Sequence, residues 1–303
     1  MKINLVHGIR DGKMYHIDDV ESGLLCNVCC SQCEDRLVAK KGMKITNHFA
    51  HYRVENCSHA SETSLHFLAK EIIEECGEFM VPSIEFQIGE DRKPYVFYNE
   101  TKLKFEKIKV EKKLGDIVPD LIGYVNGRPL LIEIAVTHFI DNNKYKKIKD
   151  QKISTIEIDL SEYKDGITRE ELKNLLINKS DKKTWIFNNK LRLIKKTILK
   201  ETREVVEKYD FKGDLDSGGW HRKCPIYKNG YVTFARNCKS CIFNNRIYKD
   251  YVAGGEMSVF CSGKNAPNIV SKIRKLGGKF SGNLKVKRLV SKSLSSSKVL
   301  RLF

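Results

Sequence analysis

No stretch of this 303-residue chain approaches the roughly 18–20 consecutive apolar residues that a membrane-spanning helix needs. The opening segment, MKINLVHGIRDGKMYHIDDV, lacks the apolar h-region of a secretory signal. Ten cysteines in a chain without such a signal argue against a disulfide scaffold. From Gly263 to Phe303 there is no Asp or Glu at all, against eleven Lys and Arg. These absences point away from a membrane protein and from a secreted disulfide-rich domain. The expectation is a soluble, cytoplasmic chain.

What is present is a globular composition, 41% hydrophobic, with a net charge of +17. The length permits a real core, in one large domain or two to three small ones. A basic excess of this size favours polyanions, because each neutralised phosphate releases condensed counterions. Residues 263–303 concentrate the charge in a segment interrupted by Gly and Ser, which reads as a flexible tail gripping phosphate backbones. Nucleic acid is the partner this charge suggests.

Short alternating runs around Asp11-Gly12 predict a β-hairpin within residues 1–25. Residues 61–76 read as an amphipathic helix, with Leu65, Leu68, Ala69, Ile72 and Cys76 on one arc and Ser61 as N-cap. Strand-like stretches follow at 80–88, 95–98, 103–110, 118–125 and 129–137, with Asn126-Gly127 as a hairpin turn between the last two. Asp141 caps a helix from 142 to about 151, residues 153–160 form a strand, and Thr168 with Glu171 opens a helix to about 178. TWIF (184–187) is a last strand, and residues 189–209 read as a long helix with Leu191, Ile194, Ile198, Val205 and Tyr209 on its apolar side. Helices alternating with antiparallel strands suit a mixed sheet flanked by helices.

Chemistry enters at the strand Pro129–Thr137. With period two, Leu131, Glu133, Ala135 and Thr137 share a face, so one carboxylate stands in an otherwise apolar strand. A buried carboxylate needs a partner charge or a metal. The Asn126-Gly127 hairpin would bring Asp120 near Glu133, and two converging carboxylates suit a hard divalent cation. A salt bridge to one of the many lysines is the other reading of the same strand.

Nine cysteines fall into two clusters with metal-ligand spacing; Cys76 stands apart. The first holds Cys26, Cys29, Cys30, Cys33, His48, His51, Cys57 and His59. The second is Cys224-x13-Cys238-x2-Cys241-x19-Cys261. Zinc takes four N or S ligands tetrahedrally, so each cluster is expected to close around one structural Zn²⁺.

These segments resemble the competence-protein CoiA-like nucleases of the PD-(D/E)XK superfamily. The matching stretches are CSQCEDRLVAKKG (30–42), HFAH (48–51), SETSLHFLAKEI (61–72), VPDLIGYVNGRPLLIEIAVTHFID (118–141) and STIEIDL (154–160). The resemblance implies a restriction-endonuclease-like fold and Mg²⁺- or Mn²⁺-dependent cleavage of DNA, with Asp120 and Glu133 as cation ligands. It carries Glu62 and His66 into the site from the helix, and it favours Cys30, Cys33, His51 and Cys57 as zinc ligands, with Cys26 and Cys29 as alternates. One departure is plain. The superfamily places a Lys two residues after the Glu, where this chain has Ala135. Lys144, in the first turn of the next helix, or Lys147 one turn on, would have to supply the charge. Thr137 and His138 are candidates for supporting roles.

The expected organisation is an N-terminal hairpin and zinc module (1–60), a nuclease core (61–188), a long helix with a four-cysteine zinc module (189–262) and a basic tail (263–303). The expected activity is endonucleolytic, nicking if one site acts per monomer, in competence, phage defence or mobile-element conflict. The competing expectation is a catalytically inactive DNA-binding or recombination accessory protein on the same scaffold.

Overall fold

The computed structural model describes residues 5–42, 45–54, 57, 59–86, 95–164, 166–208, 220–221, 232–233, 241, 243–249 and 256–276. The chain divides into two compact units, residues 1–82 with 100–188 and residues 83–99 with 189–303. The segments expected as an N-terminal module and a core thus share the first unit.

In that unit, Asp11 and Gly12 take positive φ (51° and 76°) and turn the predicted hairpin between β1 (His7–Arg10) and β2 (Lys13–His16). A second antiparallel pair joins β3 (Leu37–Gly42) and β4 (Ile45–His51). Ile17, Val28, Leu37, Phe49 and Ala60 bury a small core here together with Cys26 and Cys30. Helix α1 (Ala60–Cys76) follows and buries Leu65, Leu68, Ala69 and Ile72 as the periodicity predicts, while Cys76 is half-buried. Its N-cap is His59, without a side-chain cap, rather than Ser61. Ala60 is drawn into the small core and the helix starts one residue early, so the Ser61 hydroxyl donates instead to the Lys164 carbonyl.

The stretch 80–88 is broken, because Pro82 has no N–H to donate to a ladder. Strand β5 (Glu78–Val81) stops before it, and β6 (Ile84–Phe86) pairs with β7 (Tyr95–Tyr98) in the second unit. The stretch 103–110 also splits. Strand β8 (Thr101–Lys104) pairs with β5, whereas β9 (Lys107–Val110) joins the main sheet.

That sheet has five strands in the order β13-β12-β11-β10-β9, adding β10 (Leu121–Val125), β11 (Arg128–Ala135), β12 (Ser154–Asp159) and β13 (Lys183–Phe187). Asn126 and Gly127, at φ 49° and 72°, make the β10–β11 hairpin as expected. Strands β11 and β12 are parallel and the other neighbours antiparallel, so the sheet is mixed. A parallel step needs a crossover, which α2 (Asn142–Gln151) supplies. Asp141 caps it, accepting the Lys144 N–H at 2.6 Å. Ile148 of α2 packs with Ile117, Ile122, Leu131 and Phe187. Helix α3 (Arg169–Asn178) opens on the predicted Thr168–Glu171 capping box and packs against α1.

The second unit departs most from expectation. The helix predicted over 189–209 ends as α4 (Asn189–Lys200), and β14 (Arg203–Lys208) follows. Val205 and Val206 are β-branched and lie in a ladder rather than on a helix, and Tyr209 falls outside the described residues. After a short pair, β15 (Trp220–His221) and β16 (Val232–Thr233), strands β17 (Asn244–Lys249) and β18 (Glu256–Cys261) complete a three-stranded sheet in the order β14-β18-β17. The segment expected as a flexible tail begins with an ordered helix, α5 (Ala266–Lys275). Its Ile269, Val270 and Ile273 form an apolar arc that is buried, and residues 277–303 lie outside the described residues. No described helix is long and apolar enough to cross a membrane.

Two contacts in the first unit are sharply constrained. A Cβ on Gly123 of β10 would stand 2.3 Å from the Phe105 ring. Buried Lys183 donates from Nζ to the Leu176 and Lys179 carbonyls at 2.6 Å each, closing the C-terminus of α3 from the neighbouring strand. We predict that Lys183→Met lowers stability by about 1–3 kcal/mol through orphaned helix-end carbonyls, and Gly123→Ala by about 1–3 kcal/mol through overpacking. Thermal melts of both variants that overlay the parent would contradict these assignments.

Candidate functional site

The β10–β11 register sets Leu121 opposite Ile132, which leaves Asp120, just before β10, beside Glu133. The Asp120 Oδ2 atom accepts the backbone N–H of Ile134 at 2.8 Å and lies 3.1 Å from His66 Nε2. Glu133 is buried, and its Oε2 accepts from Lys144 Nζ at 2.7 Å. Its other oxygen, Oε1, is buried with no hydrogen-bond partner. Four residues from three places in the chain (α1, the β10–β11 hairpin and α2) therefore meet at one point. Of the two lysines considered, Lys144 reaches in, while Lys147 is exposed.

Glu62, one turn before His66 on α1, is hydrogen-bonded through Oε1 to the Thr137 hydroxyl and lies 3.3 Å through Oε2 from His59 Nδ1. His138 is exposed and acts on Glu62 through its charge. A further carboxylate escaped sequence reasoning. The parallel β11–β12 register pairs Glu133 with Glu157, whose Oε1 accepts the Ile140 N–H at 2.7 Å. The alternation Thr155, Glu157, Asp159 on β12 was the available signal, but the partner strand and its direction had to be known to use it.

The electrostatics separate the acids. Burial raises Glu133, Lys144 pulls it back and Asp120 raises it again, leaving it at about 7. Burial also opposes ionisation of Asp120, but His66, the Ile134 N–H and Lys144 outweigh it and hold Asp120 below the usual carboxylate range. Glu62 is likewise held low, its burial outweighed by hydrogen bonds from Thr137 and His59 and by His138. Burial raises Glu157 despite the Ile140 N–H. Two neighbouring carboxylates pushed in opposite directions are a frequent feature of functional sites.

The second constellation lies at the start of α1, where Ser31 and Gln32 hydrogen-bond to Ser64 and Thr63. Cys30, Cys33, His51 and Cys57 place one ligand atom each within 4.8 Å of one another. The Cys30 and Cys57 sulfurs are 3.9 Å apart, near the ~3.8 Å that tetrahedral zinc–thiolate bonds imply. His51 Nε2 is buried without a hydrogen-bond partner, as a metal-directed nitrogen would be. Burial pushes the Cys57 thiol up to about 12, helped by Cys30 and Cys33, so without a cation this sulfur stays protonated and neutral. The donor set fits zinc. The alternates do not join it: the Cys26 thiol donates to the Leu37 carbonyl within the core, and Cys29 is outside the group, its backbone bridged to Ile9.

Of the second cysteine cluster, Cys224 and Cys238 lie outside the described residues. Cys241 sits three residues before Asn244, which pairs in register with Cys261 at the end of β18, so the ladder brings these two segments side by side.

Replacing Cys33 by Ser removes one of four ligands. We predict that the purified variant carries one zinc equivalent fewer than the parent by elemental analysis and melts at lower temperature. Equal zinc content in variant and parent would exclude this cluster as a zinc site.

No curated protein and no solved structure matches the chain. A family model does, over residues 26–60, the span of this metal-ligand cluster and the β3–β4 pair. Over that segment the chain is similar to the N-terminal domain of competence protein CoiA.

Proposed function

We propose that the chain is a metal-dependent endodeoxyribonuclease of the PD-(D/E)XK type, with Asp120 and Glu133 as ligands of Mg²⁺ or Mn²⁺. The observation that carries this reading is the buried Glu133 carboxylate, paired on one oxygen, open on the other and set beside Asp120. Hard oxygen donors at a shared point are what these cations take. The CoiA N-terminal domain suggests a competence-related function, in which DNA is the natural substrate.

A cation held there would activate a water and offset charge on the departing phosphodiester oxygen. The protein supplies the rest. His66 and the Ile134 N–H fix the orientation of Asp120. Lys144 provides the positive charge that Ala135 cannot, from a helix turn anchored by the Asp141 cap. Glu62, tied to Thr137 in the bend just after β11, extends the acidic surface toward α1. Glu157, next to Glu133 across β11 and β12, adds a carboxylate to the site.

The same Lys144–Glu133 pair supports a second reading, in which the buried carboxylate is simply neutralised and the scaffold binds DNA without cutting it. Supercoiled plasmid with Mg²⁺ or Mn²⁺ separates the two. The parent is expected to produce open circles, Glu133→Gln none above background, and Lys144→Met a rate about 10²–10³-fold lower, as for loss of one charge-stabilising group. Equal products from Glu133→Gln and parent would remove Glu133 as a ligand. No product from the parent under either metal would select the binding-only reading.

A further inference from the structure

Strand β9 is the free edge of the five-stranded sheet, and between it and α1 runs an open cavity of about 820 Å³. Its β9 side is lined by Lys107 and Lys109, whose side chains share the face of Ile122 and Tyr124 (Lys109 Nζ lies 5.5 Å from the Tyr124 ring centroid), and continues through Lys112 and Lys113. Among the described residues no carboxylate is ion-paired to any of these four. The acids on the same walls are mostly committed: Glu111 to Lys70 at 2.5 Å, and Glu71 to Arg169 at 2.7 Å, which leaves Glu74. The balance along the groove is positive.

The α1 wall presents Phe67, 40% exposed, with Lys70 Nζ 4.6 Å from its ring centroid. Leaving a phenyl ring in water on a helix with a well-filled apolar arc gains nothing for folding. Phe67 directly follows His66, which contacts Asp120, and on the opposite wall Glu111 donates its backbone N–H to the Asp120 carbonyl at 3.0 Å. Both walls therefore lead to Asp120, one to its carboxylate and the other to its backbone carbonyl.

We propose that this groove binds single-stranded nucleic acid, with the lysines on the phosphates and a base stacked on Phe67, so that the strand is delivered to the Asp120–Glu133 centre. A positive track with an exposed aromatic beside it is how proteins hold unpaired strands. In a duplex the base faces are already stacked on one another, so an exposed ring has nothing to recognise there and only the lysines would act. The inference rests on the nucleic-acid reading above and not on hydrolysis.

Binding of fluorescein-labelled oligo-dT and oligo-U 20-mers and of a 20-bp duplex to the full chain, by anisotropy without added Mg²⁺ or Mn²⁺, tests it. Loss of one stacked base is expected to weaken single-strand binding of Phe67→Ala about 5- to 150-fold, with duplex binding changed less than about twofold. Phe67→Trp should retain single-strand binding. The double variant Lys112→Ala/Lys113→Ala should flatten the dependence of log K on log salt by about 1.4 for single strands. A loss on either oligonucleotide supports the groove. Single-strand affinity unchanged in Phe67→Ala, equal losses on single strand and duplex, or an unaltered salt slope each overturns it. The residue is exposed, and matching melting temperatures would exclude misfolding as the cause. A chain that nicks plasmid but is indifferent to Phe67 loses this proposal alone, whereas Phe67-dependent binding without nicking removes only the hydrolytic reading.

Discussion

Burying a carboxylate inside a sheet is costly unless charge or hydrogen bonds come to meet it, and the first unit is arranged around that demand at Glu133. The β10–β11 hairpin brings Asp120 to its side. The parallel addition of β12 obliges the chain to cross over, and the crossover helix α2 carries Lys144 to the one oxygen that is paired. The same parallel step sets Glu157 next to Glu133. Moving any of these connections would leave an ionised group uncompensated or force it to neutralise, which is the direction in which burial already pushes Glu133.

Helix α1 links this demand to the N-terminal metal cluster. Cys57 belongs to the group of three cysteines and one histidine, and α1 begins three residues later with Ala60 already in the small core. The helix then presents Glu62 toward Thr137, His66 toward Asp120 and Phe67 toward the β9 groove. A small core with few apolar residues gains stability from a bound ion, and here that ion would also hold the start of the helix on which three of the proposed site residues stand. The cluster closes on four protein ligands and so has no open position for chemistry of its own.

Much of the first unit was legible in the sequence. Asn126-Gly127, Asp141 and the Thr168–Glu171 box act through neighbouring backbone, and each performs the local role that its residue types predict. The apolar arc of α1 was visible for the same reason. The failures share a cause too. The sequence over 189–209 keeps an apolar period through Ile198, but Val205 and Val206 pair with β18, some fifty residues on, and periodicity in a short window cannot report such a partner. Residues 103–110 read as one strand because nothing local says that β8 and β9 serve different sheets. Glu157 was invisible as a site residue until its parallel neighbour was known.

By itself the sequence determined the parts whose physics is local or combinatorial: the caps of α2 and α3, the turns at Asp11-Gly12 and Asn126-Gly127, the spacing of cysteines and histidines suited to zinc, and one acid in an apolar strand. Tertiary structure decided which of those parts meet. It selected Cys30, Cys33, His51 and Cys57 because those four ligand atoms converge, whereas the Cys26 thiol donates to the Leu37 carbonyl in the core and Cys29 lies outside the group. It chose Lys144 over Lys147 because Lys144 reaches Glu133 from the first turn of α2, whereas Lys147 lies on the exposed side of the helix. Distance between side chains depends on strand order and direction, and those are set by the packing of the whole unit rather than by any window of residues.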